Sequence, residues 1–168
     1  MKPVGKGAKA KLHRVKVALP FGIGEAEWGP DSTEQRAAWS LYVELITRTA
    51  VQPLAPDAGV AREALASLHS LFPITRAVLR EAGPDVGAAI PTVGGIAVTV
   101  LNKGLRPFLT KWHARLLDWE SKRPQTKSVP AHEAEWPQLS EFRKEFGELR
   151  VSLEKYALGL GRIAGVAE

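Results

Sequence analysis

Apolar residues recur along the last third of the chain at helical steps. Trp136, Leu139, Phe142, Phe146, Leu149, Leu153, Tyr156, Leu160 and Ile163 are spaced three or four apart. That alternation places one apolar stripe along a long helix, and such a stripe needs other helices to cover it. The same period occurs three more times. Asp31 and Glu34 have the spacing of a capping box and open a first helix carrying Trp39, Tyr42, Val43, Ile46 and Ala50. Pro53 ends it, and QPLAPDAG reads as a loop. A second helix is expected from about Asp57 to Glu81, with Leu65, Leu68, Phe72, Val78 and Leu79 on its buried side. Pro73 lies in its middle and predicts a kink or a break there. A third is expected from about Thr92 to Lys122, bent at Pro107. Ser128 is the expected N-cap of the fourth, with Pro130 in its first turn. Four long helices with short connections predict an all-α fold, an antiparallel up-down four-helix bundle.

The start of the chain breaks the pattern. Residues 1–11 are rich in Lys, Gly and Ala and read as a flexible arm. Leu12 to Leu19 alternate in part, which allows one short strand, pairing with itself in a dimer or with another protein. PFGIGEAEWGP follows as a turn-rich connection. The expected division is a basic arm over residues 1–18 and a helical domain over residues 19–168.

Charge sharpens this division. The net charge of +5 arises entirely in the arm, where Lys2, Lys6, Lys9, Lys11, Arg14 and Lys16 stand without an acid. All 18 acidic residues lie from Glu25 onward, against 17 remaining Lys and Arg. The basic arm predicts salt-dependent contact with nucleic-acid phosphates, to RNA or a single strand, since nothing resembles a helix-turn-helix unit. With no cysteine, disulfides, thiolate metal sites and cysteine nucleophiles are excluded, which suits a cytoplasmic protein. Val86 to Asn102 carries no charge over 17 residues. That is the short limit for a membrane span, and the segment reads either as a buried helix or as the inserting part of a membrane-acting effector.

Candidate chemistry is sparse. His13, His69, His113 and His132 show no spacing that would aim two imidazoles at one metal, and no inward Glu-x-x-His motif is present. No metal and no cofactor are expected. His132-Glu133 reads as a dipeptide opening the fourth helix, with Glu133 offsetting that helix's dipole. The densest cluster is LRPFLTKWHARLLDWE, Leu105 to Glu120. Trp112 and Trp119 are one heptad apart and share a face, either as core fillers or, with His113 and Arg115, as aromatic anchors of a partner-binding surface.

Three resemblances follow from these residues. Arg62 and His69, in REALASLH, are similar to the Arg-x6-His pair of HEPN ribonucleases, which are helical bundles; this implies RNA cleavage with Arg62 and His69 as catalytic residues. Glu63 stands where that motif usually has a polar residue. The blocks LPFGIGEAEW, LYVELITRTAVQPL and LRPFLTKWHARLLDWE, in that order, resemble a family of bacterial helical-bundle proteins without an established activity, over about Leu19 to Val166. A bundle with a basic appendage is also similar in outline to the accessory protein of diversity-generating retroelements, which binds nucleic acid and a reverse transcriptase. Together these imply a bacterial accessory or assembly module, non-enzymatic, binding a protein partner or itself, in a defence or mobile-element setting.

Overall fold

The computed structural model describes residues 14–48, 50–51 and 60–167. Lys2, Lys6, Lys9, Lys11 and His13 of the expected arm, and the loop expected at QPLAPDAG, lie outside the described residues. The chain is mostly helical, with one small antiparallel sheet.

The sheet corrects the reading of the chain's start. β1 (Val15–Leu19) pairs with β2 (Gly24–Trp28) of the same chain, in the register Val15 to Trp28 through Leu19 to Gly24. The supposed connection is therefore the partner strand. Four turn residues join the two, with Ile23 N–H donating to Pro20 O at 3.2 Å and both Phe21 (φ 58°) and Gly22 (φ 72°) left-handed. Two alternating glutamates, Glu25 and Glu27, mask the strand pattern by meeting Lys16 and Arg14 on the solvent side. Val17, Leu19 and Ala26 point inward, and β1 packs against the last helix.

Helix α1 (Ser32–Ile46) begins with the expected capping box, Asp31 accepting from Thr33 and Glu34 N–H groups. Its buried face is Ala37, Ala38, Leu41 and Leu45. Of the stripe expected to be covered, Trp39 and Ile46 are exposed, Tyr42 and Val43 are half-buried with Tyr42 packed against the core, and Ala50, beyond the helix end, is buried. Small alanines hide the true core face, because a helix packed closely needs little side-chain bulk.

The second predicted helix is two, α2 (Ala61–His69) and α3 (Leu71–Ala82). The break falls at Ser70, three residues before Pro73. A proline ring clashes with the carbonyl four residues earlier, here that of His69, so the discontinuity moves upstream and Pro73 sits in the first turn of α3. Arg48 fastens the break, donating from Nη1 to Ser70 Oγ and Ser67 O.

Val86–Asn102 is not a single helix. A 3₁₀ turn (Pro84–Val86) and a loop with a cis Ile90–Pro91 bond lead into α4 (Val93–Thr99). Gly94 and Gly95 let the loop cross the start of α4; a Cβ on Gly94 would stand 2.1 Å from Gly87 O. Among the described residues no helix is long and apolar enough to cross a membrane. The apolar character is explained by burial of Val93, Ile96, Ala97, Val100 and Leu101 in the core.

From α4 the chain passes through a π-helical stretch (Val100–Leu105) into α5 (Arg106–Ser121). Arg106 N–H reaches back to Leu101 O, and Pro107 follows with no N–H to give. The wide turn is how this helix accommodates the proline. Ser128 caps α6 (Val129–Ala134) as expected, but Trp136 and Pro137 end it and α7 (Leu139–Ala164) begins anew. On α7 every stripe position is buried apart from Leu139, which is half-buried. α7 lies along α1 and beneath β1.

Candidate functional site

α2 lies against α5, and the contact brings together polar residues scattered over sixty positions. Arg62 donates from Nε and Nη2 to the two carboxylate oxygens of Glu120, at 3.1 and 2.7 Å. Its Nη1 donates to Nδ1 of His113 at 3.0 Å. Two turns further along α2, the His69 ring stands edge-on to that of His113, centroids 5.9 Å apart. Both rings line a cleft of about 290 Å³ with Phe72, Arg76, Arg106 and Thr110.

Two cations converge there on one ring. The guanidinium carbons of Arg76 and Arg106 lie 5.8 and 5.2 Å from the centroid of Phe72. Arg106 is oriented by Asn102 Oδ1, which accepts from its Nε and Nη2. Among the described residues neither arginine meets a carboxylate. Cation–π attraction holds each in place without neutralising it.

His113 is held in one tautomer. An arginine N–H can only donate, so Nδ1 of His113 accepts and the neutral ring carries its proton on Nε2. Nε2 is buried and has no hydrogen-bond partner. Burial first, then the neighbouring charges of Arg62 and His69, hold the His113 pKa below its ordinary value. The cleft thus presents two unneutralised guanidinium groups, a set suited to an anion.

The residues singled out on α5 separate in space. Trp112 is fully buried (0% exposed) between Phe108, Trp136 and Phe142, its Nε1–H donating to Glu145 Oε2 at 2.9 Å. It fills the core and offers no surface to a partner. Lys111 and Arg115 lie over its ring and pair with acids of α7, Lys111 with Glu141 and Glu145, Arg115 with Glu141. His113 faces α2. Trp119 is half-buried and stacks on His132 of α6, centroids 4.5 Å apart and planes within 6°.

Glu133 has a different role from the one its position suggested. It lies at the far end of α6, buried, and its Oε2 accepts the N–H of Ala61 at 2.9 Å. It therefore caps α2, whose own N-cap, Val60, has no side chain able to do so. Burial, the largest cause, pushes its carboxyl pKa upward. Of the arm's six cations, Arg14 and Lys16 are described, and both are ion-paired across the hairpin. No group of three or more His, Cys, Asp or Glu among the described residues could hold a metal.

Sequence reasoning had the Arg62–His69 pair and His113 but put them in separate hypotheses, and it missed Arg76 and Arg106. Their positions four residues from Phe72 and Asn102 were visible, but nothing local distinguishes them from solvated cations. No family model, curated protein or solved structure matches the chain.

Proposed function

We propose that the protein is a non-enzymatic helical accessory module that grips single-stranded nucleic acid by its phosphates and assembles with a protein partner or a second copy. In this reading α1, the α2–α3 pair, the α4–α5 helix and α7 are the members of an up-down four-helix bundle. The observation that carries the nucleic-acid part is the pairing of Arg76 and Arg106 on Phe72 without a carboxylate. A phosphate supplies the missing charge. A cleft of about 290 Å³ suits one phosphate with its sugar and not the body of a duplex. Lys2, Lys6, Lys9 and Lys11 would extend the contact along the strand. Assembly is supported by Trp39 and Ile46, apolar groups of α1 that are 49% and 37% exposed.

The test is fluorescence anisotropy with labelled oligouridine at several salt concentrations. The native chain binds, and Arg76→Ala with Arg106→Ala weakens binding at least about tenfold and flattens the salt slope by about 0.7 per lost contact. Unchanged binding by the double variant sinks the reading. Light scattering of Trp39→Glu against the native chain tests assembly.

A second reading, RNA cleavage through Arg62 and His69, is favoured by the edge-on approach of His69 to His113, which sets two imidazoles beside one anion cleft. It requires that His69→Ala abolish cleavage of labelled RNA while binding and melting temperature stay unchanged.

A further inference from the structure

A second cavity, of about 240 Å³, opens on the other side of Arg62. Trp119, Glu120, Arg123, His132 and Glu133 line it. Its aromatic wall is fixed. Trp119 Nε1–H donates to His132 O at 2.9 Å, and His132 Nε2–H donates to Trp119 O at 2.8 Å, so the stacked rings cannot turn independently. Its acceptor is unusual. Glu133 is 8% exposed, one carboxylate oxygen takes Ala61 N–H, and the other accepts no hydrogen bond among the described residues. That second oxygen is open to the cavity, where a ligand N–H can meet it. Arg123, which meets no carboxylate among the described residues, argues against a cationic ligand and for one that also carries an anion.

We infer that this cavity is a guanine pocket for a nucleotide of the strand held in the first cleft. An aromatic wall accepts any base face. Guanine alone presents two adjacent N–H donors, N1 and N2, to a carboxylate, whereas adenine, uracil and cytosine offer a single donor group on that edge. The two cavities are linked through α5. Glu120 lies seven residues, about 10.5 Å, along the helix from His113, and Arg62 bonds both residues across the partition. That separation suits neighbouring nucleotides of one strand.

The inference rests on the nucleic-acid reading above, and the probes separate the two. Binding of the full chain is measured to the RNA pentamers UUUUU, UUAUU, UUGUU and UUGUU with inosine in place of guanosine. The expected result is about tenfold tighter binding of UUGUU than of the other three, since inosine lacks the N2 amine. Glu133→Gln, which keeps an acceptor for Ala61, brings UUGUU down to the level of UUUUU and leaves UUUUU unchanged. Equal binding of all four pentamers overturns the guanine pocket and leaves the phosphate cleft standing. Equal binding of the guanosine and inosine pentamers overturns it as well, and needs no variant to fold. If no pentamer binds, both readings fall.

Discussion

Arg62 donates to Nδ1 of His113 while the same guanidinium clasps both oxygens of Glu120. The imidazole is therefore held neutral by its geometry. Protonating Nδ1 would break this bond and set one cation against another. In the unfolded chain His113 takes up its proton near pH 6.5; in the fold it does so only at lower pH. Between those two values the unfolded state binds more protons, so stability falls as pH falls through that window. Urea denaturation at pH 7.5 and pH 5.5 checks this. The native chain loses stability at the lower pH, and His113→Gln loses less.

Glu34 joins three elements. Its carboxylate accepts from Trp28 Nε1–H of β2, Asp31 N–H of the capping box and Val93 N–H at the start of α4. Glu34→Ala strands a buried amide at Val93 and is expected to cost about 2–4 kcal/mol. Amide exchange at Val93 reports the local loss, and Glu34→Gln costs less than Glu34→Ala.

The hairpin turn meets the π-helical stretch at one point. A Cβ on Gly104 would lie 2.6 Å from the ring of Phe21, a residue itself held at positive φ. Gly104→Ala alone destabilises the protein. In the background of Phe21→Ala the same change costs at least about 0.5 kcal/mol less, because the clashing ring is gone. A thermal-denaturation cycle of the four chains measures the difference.

Two neighbours on α7 set the scale of the core. Leu153→Ala removes a fully buried side chain and costs about 2–5 kcal/mol. Val151→Ala, at a position 58% exposed, stays within about 0.5 kcal/mol. Chemical denaturation of both variants compares them directly.

The parts of the fold that local sequence encodes were legible. The Asp31–Glu34 capping box, the Ser128 cap and the stripe from Leu139 to Ile163 each occupy the place their spacing assigned, while Trp136 falls in the break before α7. What misled was ambiguity of a physical kind. On α1 the bulky stripe drew attention while Ala37 and Ala38 carried the contact. In the hairpin, Glu25 and Glu27 resembled a loop because their partners lie across the turn. The prolines were read as causes acting where they stand, although Pro73 acts through His69 and Pro107 through the turn before it. The site was the least legible part. Arg62, His113 and Glu120 gain meaning only when α2 meets α5, and Glu133 caps a helix that begins 72 residues earlier. No local pattern carries such pairings.

The π-helical stretch from Val100 to Leu105 fixes the angular setting of everything after it. A π turn holds one residue more than an α turn, and each residue advances a helix by about 100°. Shortening Val100–Leu105 by one residue would therefore rotate α5 as a crankshaft turns on its bearing. Trp112 would leave the core, and Arg106 and His113 would swing off the α2 side. The α5 side of the cleft, from Arg106 beside the stretch to His113 two turns on, is thus oriented by one surplus residue.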